Sequence, residues 1–483
     1  MSVQYYKAKF IIIWHEGQHK TLREGYLGVK KDRIEGFYQH LPDGAKYEDL
    51  GNVAITPGFI NTHCHPCETL GIKSYQEDIG NPNFYESGLY DYYLALHYGK
   101  EGAILQAKLN TMEILKSGCT TALINGGPIS GEEARIAGEM GMRAYVGGAV
   151  RAGDAYEERS IWYSPDGHSL EYHFDEESGM QRIEEAERFI REIEGSFEGR
   201  INGYWAPTQT LTCTPRMLKE VRKRADKMGV GITIHGAESI IEFESCVRQF
   251  GKTPVQHLSD NGMLGEDVII GHCIFTTGHS SVFIPGNDDL KLLGKSRSTV
   301  AHCPSVFAKG GVLLESFRKY SDYGVNMTIG TDSYPSDVLQ EMRFASSLGK
   351  IAGRSTFAVS AKDIFYAATV NGAKALGRDD LGKLEKGAKA DFVVFSLNNI
   401  EMSPVRDVIK NIVYSGTRHS IERVYVDGKC VVKDGKIPGM NESEIAQEFQ
   451  EKAEIVWSNT SKHDREKRNV DELSPLACPE YID

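Results

Sequence analysis

Two histidines one residue apart, His63 and His65, close the run Ile55-Thr-Pro-Gly-Phe-Ile-Asn-Thr-His-Cys-His65. On a β-strand, side chains alternate between faces, so both imidazoles point one way and Cys64 the other. Two imidazoles on one face can share a metal ion. Two surface histidines satisfy the same spacing, and it is the company downstream that favours a metal. Thr233-Ile-His235 is followed by Gly236-Ala-Glu238, Ile269-Ile-Gly-His272 ends another apolar run, and Met327-Thr-Ile-Gly-Thr-Asp332 ends a third. Singly, each histidine also reads as structural and Asp332 as a helix cap. Together they read as one site.

Positioning five such groups requires a rigid frame whose strands all end on the same side. From about residue 100 the pattern alternates strand and helix, the signature of a parallel sheet. Apolar strands are predicted at Ile55–Phe59, Thr120–Ile124, Arg143–Val150, Ile201–Trp205, Val230–His235, Asp267–Gly271, Thr299–Ala301 and Asn326–Gly330. About eight strands, with no glycine-rich phosphate fingerprint after an early one, favour a (β/α)8 TIM-type barrel over an open sheet. Helices are predicted over Glu101–Lys116, over Gln181–Gly195, and from Pro215 to Met228 behind a Thr214 cap. Short strands at both chain ends, among them Phe10–Trp14, Gly25–Val29, Ile34–Tyr38, Ala390–Phe395 and Val424–Val432, are too few at either end to bury a core alone. They predict one small β-sandwich domain built from both ends of the chain. The resulting division is 1–56 and 381–437 for the β domain, 57–380 for the barrel, and 438–483 for a C-terminal helix, Glu442–Ser458, and tail. Glu68–Tyr98 and Ala155–Met180 interrupt the alternation and read as loops over the C-terminal face, where barrel enzymes keep their chemistry.

Composition narrows the class. A net charge of −12 excludes a nucleic-acid footprint or a basic membrane face. No stretch approaches transmembrane length, and the apolar run Phe10–Trp14 is too short for a signal-peptide core, so a cytoplasmic protein is expected. The nine cysteines are odd in number and scattered, which suits reduced thiols, with Cys64 and Cys67 as packing residues.

At this level of detail the motifs resemble those of the amidohydrolase superfamily. Ile55–His65 resembles its first-strand Pro-Gly-Phe-Ile-Asn-x-His-x-His, His235-Gly-Ala-Glu238 its His-x-x-Glu, Gly271-His272-Cys273 its sixth-strand histidine, and Gly330-Thr-Asp332 its last-strand aspartate. Thr369-Val-Asn-Gly-Ala373 and Leu381–Asp391 are similar to its C-terminal signatures, so the resemblance runs from about residue 10 to residue 437. Within the superfamily the pattern looks like the branch of mononuclear deaminases and triazine hydrolases, which includes guanine deaminase and the chlorohydrolases. The resemblance implies His63, His65, His235 and Asp332 as ligands of one divalent metal ion, zinc first, with iron or manganese as alternatives. It implies Asp332 and His272 as catalytic groups that take the proton of water and orient it, and Glu238 as the acid that protonates the leaving side of the substrate. It also implies a homo-oligomer, dimeric or higher.

The sequence departs from that branch at two places. Ala301-His-Cys-Pro-Ser-Val-Phe307 carries Val306 and Phe307 where Ser and Asn are usual, and Tyr75-Gln-Glu-Asp78 stands where a Trp-Leu pair is familiar. These departures steer the substrate away from guanine and adenosine derivatives. Arg151, Thr208 and His302, each next to a strand end, are candidate substrate contacts; loop-stabilising or structural roles fit them equally. The expected function is hydrolytic deamination of a small aminated N-heterocycle or cyclic amidine, with ammonia released. The alternatives are hydrolysis of an amide, urea, carbamate or aryl-halide bond at the same centre, and a non-catalytic barrel scaffold, which the full set of candidate ligands disfavours.

Overall fold

The computed structural model describes residues 2–68, 70–74, 98–151, 161–163, 170–172, 174–464 and 467–481. Eight parallel strands follow one another in chain order around one sheet: β1 (Phe59–Cys64), β2 (Cys119–Ile124), β3 (Arg143–Val150), β4 (Ile201–Pro207), β5 (Ile232–Gly236), β6 (Val268–His272), β7 (Thr299–His302) and β8 (Asn326–Ile329). Nearly every residue of these strands is buried, as expected of strands covered on both faces. Between β1 and β8 the sheet closes at its C-terminal end. The Asp332 amide donates to the His63 carbonyl and the His65 amide to the Asp332 carbonyl, each at 2.9 Å. Just below, the hydroxyls of Thr62 and Thr328 meet at 2.7 Å. At the other end Ile60, Leu123, Tyr145, Tyr204 and Ile269 pack with Ala373, Leu376 and Leu381 into a plug. The barrel is a filled (β/α)8 core with its open face at the strand C-termini.

The strands from the two chain ends hydrogen-bond into one separate eight-stranded sheet. In it Val53–Pro57 lies between Gln4–His15, which it pairs in parallel, and Phe392–Ser396, which it pairs antiparallel. The first barrel strand therefore begins at Phe59, and not within a single run Ile55–Phe59. Pro57 cannot donate a ladder hydrogen bond, and a Cβ on Gly58 would fall 2.1 Å from Thr120 Oγ1. This Pro-Gly pair passes the chain from one sheet to the other. A buried ionic cluster fastens the two: Arg143, at the start of β3, donates to Asp391 Oδ2 at 3.1 Å and to Asp427 Oδ1 at 2.6 Å, and all three are under 10% exposed.

The helix Pro215–Met228 starts as its residues dictate, with the Thr214 hydroxyl accepting from Met217 N and Pro215 at the first position. The acidic helix spans Glu176–Ile193, five residues earlier than predicted, because Asp175 caps it by accepting from Ser178 N. It thus begins inside the segment read as a loop, which also contains an antiparallel ribbon of Ile161–Tyr163 with Leu170–Tyr172. The rest of that loop before Phe174, and 75–97 of the other, lie outside the described residues. Glu442–Ser458 is helical and packs on Gly99–Lys116. Among the described residues no helix is long and apolar enough to cross a membrane.

Candidate active site

The ends of β1, β5, β6 and β8 bring the titratable residues together at the open face. His63 lies in β1 and His65 just beyond it, and Cys64 turns away, its thiol directed to the Leu123 carbonyl. The His63 ring passes over Gly271, where a Cβ would stand 2.5 Å from its Cε1. The glycine before His272 is therefore what lets the β1 and β6 groups share one space.

Donor atoms converge from three strands. His65 Nε2 stands 3.0 Å from His235 Nε2, and Asp332 Oδ1 stands 3.4 Å from His63 Nε2 and 3.5 Å from His65 Nε2. Ligands at about 2.05 Å on a tetrahedral ion are separated by about 3.3 Å, so these spacings suit one divalent cation. Ligand atoms of His63, His235, His272 and Asp332 also all lie within 4.8 Å of one another. His235 shows how the fold prepares a donor. Its Nδ1–H donates to the carbonyl of Thr208, which leaves Nε2 as a bare lone pair aimed at the cluster. Burial holds His65 down to about 3, and holds His63 and His272 well below the ordinary imidazole value. These rings are neutral at physiological pH, the form in which an imidazole coordinates a cation. Both ring nitrogens of His272 are buried without a hydrogen-bond partner among the described residues. A buried polar group left this way costs about 1–3 kcal/mol, which fits a site built to hold a ligand.

Glu238 stands at the edge of this cluster, its Oε1 3.8 Å from His272 Nε2, and is 7% exposed. Burial first, then the charge of Asp332, push its carboxyl up to about 8, although Gln209 Nε2 donates to Oε2 at 2.9 Å. This shift favours the carboxylic acid, the form that can donate a proton. Asp332 is raised by burial against the pull of His65 and His235. Ala237, His272, Cys273 and Asp332 all have positive φ, between 47° and 70°, and such strained non-glycine backbone gathers at functional sites.

The three candidate substrate contacts each end or directly follow a barrel strand. Thr208 directs its carbonyl to His235 and its hydroxyl to the Val150 carbonyl, so the described contacts give it a positioning task. Arg151 follows β3, near Arg182; burial and then the Arg151 charge hold the Arg182 guanidinium below its ordinary value. His302 ends β7, is buried and is held down to about 4, its ring 6.0 Å from that of Phe317. Phe307 packs edge-on against His272 with centroids 4.7 Å apart.

Two residues of the site carried no flag in the sequence. Asn125 Nδ2 lies 2.6 Å and 2.9 Å from the two ring nitrogens of His63 and 3.3 Å from His65 Nε2, while its Oδ1 accepts from the Thr233 hydroxyl. It follows the apolar strand β2, the same strand-end signal that marks His235 and His272, but an amide does not titrate. Gln209 had no such signal.

The amidohydrolase family model matches residues 54–431, most of the chain and every residue of the cluster. The chain belongs to the amidohydrolase family. This amidohydrolase is 30% identical over 459 residues to a 5-methylthioadenosine/S-adenosylhomocysteine deaminase of Syntrophomonas wolfei, with 92% of this chain and 96% of the relative covered. It is 29% identical over 440 residues to a 5'-deoxyadenosine deaminase of Methanosarcina barkeri, covering 90% and 94%. Its fold is that of an adenosine deaminase from Xanthomonas campestris with bound zinc, at TM-score 0.77 and 21% identity over 94% of this chain and 98% of that one. An atrazine chlorohydrolase from Arthrobacter aurescens complexed with zinc shares the fold at TM-score 0.78 and 18% identity, over 93% and 100%. Like its family, this chain is a hydrolase acting on carbon–nitrogen bonds in small molecules.

Proposed function

We propose that this amidohydrolase removes an exocyclic amino group as ammonia from an adenosine-derived nucleoside, using one divalent ion, zinc first, held by His63, His65, His235 and Asp332. The observation that carries this reading is geometric: the buried carboxyl of Glu238 stands 3.8 Å from His272 Nε2, beside the convergent ring nitrogens of His65 and His235. An ion bound there supplies Lewis acidity, lowering the pKa of water from about 15.7 to roughly 7. The Asp332 carboxylate accepts the proton that water gives up. His272, neutral and rigidly held by β6, orients the water and faces the negative charge that develops as it attacks the amino-bearing carbon. Glu238 gives its proton to the adjacent ring nitrogen, so the ring does not become an anion. Collapse of the tetrahedral centre with proton return then expels ammonia. Arg151 and His302 are proposed to line the substrate, and Thr208 to act through His235.

From the sequence alone Val306 and Phe307 point away from adenosine derivatives, whereas relatives that align over some nine-tenths of this chain are named for such substrates, which supports that class instead. A homo-oligomer and a cytoplasmic location belong to the same proposal. Nine free cysteines, seven of them buried, support a reducing compartment.

The test is ammonia release by metal-replete enzyme from 5-methylthioadenosine, S-adenosylhomocysteine, 5'-deoxyadenosine and adenosine, set beside guanine, aminated pterins, triazines and simple ureas. Turnover is expected to be highest among the adenosine derivatives. Turnover confined to ureas or chlorotriazines would replace deamination with the alternative hydrolysis at the same centre.

A further inference from the structure

Glu238 can act as an acid only if the turn that carries it is held, and the structure shows what holds it. The chain leaves β5 at Gly236 and turns sharply at Ala237, whose φ of 51° is costly for a residue with a Cβ. The carbonyl side of the turn is fixed by the next strand's extension: Cys273 N donates to Gly236 O at 3.1 Å, and Ile274 N and Phe275 N to Ala237 O at 2.8 and 2.9 Å. The amide side is fixed by one side chain. Glu242 Oε2 accepts the Glu238 amide at 2.7 Å, and the Ala237 amide and Thr210 also face its carboxyl.

Glu242 is fully buried, an expensive place for a carboxyl unless it has a task. Helix capping alone does not supply one. Glu242 stands at the third position of the helix Ile240–Phe250, behind the N-cap Ser239, whose hydroxyl accepts the Glu242 amide at 3.0 Å. In an ordinary capping box the third residue's carboxyl would return to the amide of the cap itself. Here it reaches one residue further back, to the amide of Glu238. Gln209 holds the acid's side chain and Glu242 holds its backbone.

We propose that Glu242 is a positioning residue that aims the acid Glu238 at the substrate by anchoring the left-handed turn at Ala237. The proposal rests on the reading of Glu238 as the proton donor. Glu242 touches no substrate, so its loss acts on kcat through Glu238 and leaves substrate binding intact.

The test is a double-mutant cycle in metal-replete enzyme, with metal content and melting temperature measured for each protein. Glu242→Gln, which keeps one carbonyl oxygen for the amide, is expected to lower kcat about tenfold with KM within about twofold, and Glu242→Ala about a hundredfold, the scale of a small misplacement of a catalytic group. In a Glu238→Gln background both further losses are expected to shrink to about twofold or less, because residues that act as a unit are not additive. Equal fold-losses in the two backgrounds would overturn the positioning role and leave Glu238 as the acid. Full turnover in Glu238→Gln alone would overturn the acid assignment and this proposal with it.

Discussion

Asp332 donates its backbone amide to the carbonyl of His63 at 2.9 Å, so the first and last donors of the cluster are hydrogen-bonded neighbours across the seam that closes the barrel. The same backbone bonds that close the barrel set these donors side by side. The bond is backbone to backbone, and changing the Asp332 side chain leaves it intact. Asp332→Asn is therefore expected to fold with an unchanged circular dichroism spectrum while losing at least about a thousandfold in turnover, since it removes both a ligand oxygen and the proton acceptor. Residual turnover above one-tenth would remove Asp332 from the mechanism.

Asn125 is expected to act on the metal through His63 and His65. Asn125→Ala should weaken metal binding about 10- to 100-fold, the range typical of groups that orient ligands. Competition against a chelator measures this, and unchanged affinity would make Asn125 a packing residue.

The acid Glu238 sets an alkaline limit. Its carboxyl lies above the ordinary carboxylate range, at about 8, so it is protonated and able to donate below that value and loses that ability as pH rises through it. A bound cation draws the value down, which places the limb of kcat/KM at or below about 8. Glu238→Gln is expected to lose this limb along with most of its turnover. A limb that persists unchanged in the variant belongs to another group.

The positions that sequence made legible are those where local chemistry and global fold agree. β3 and the helix Pro215–Met228 lie where their patterns predict them, because Ala144 through Val150 carries no charge after Arg143 and Thr214-Pro215 is a cap followed by a first-turn proline. The border between the two sheets was not legible. Residues 53–60 are apolar but for Thr56 and are buried throughout, so hydrophobicity gives no sign of the handover at Pro57-Gly58. In the site, histidines and carboxylates announce themselves by type. Asn125, Gln209 and the carbonyl of Thr208 do not, because their contribution lies in where their dipoles point.

Glu341 offers a test of the barrel's buried electrostatics. It is fully buried, accepts the Ser305 amide at 3.0 Å, and is pushed up to about 8 by burial against the pull of Ser305. The folded state thus binds this proton more tightly than the unfolded state, whose value is near the ordinary 4.5. Its contribution to stability is full below that ordinary value and is lost as pH rises toward 8. The melting temperature of the wild type should fall more steeply between pH 5 and pH 8 than that of Glu341→Gln. Parallel profiles would contradict this.

Arg143 joins the barrel to the β domain through Asp391 and Asp427. Removing it leaves Asp391 without its guanidinium partner and Asp427 with Lys389 at 3.1 Å, so Arg143→Ala is expected to cost about 3–5 kcal/mol in chemical denaturation. A loss under about 1 kcal/mol would mean that packing alone holds the junction.

The most direct measurement is a metal titration of metal-free enzyme, followed by the rate of ammonia release from 5'-deoxyadenosine. The rate is expected to rise from the blank in proportion to added zinc and to level off at one equivalent per chain, with no rise in Asp332→Asn. Full turnover in the metal-free protein, or a rate that levels off only at two equivalents, would contradict a single-ion site built from His63, His65, His235 and Asp332.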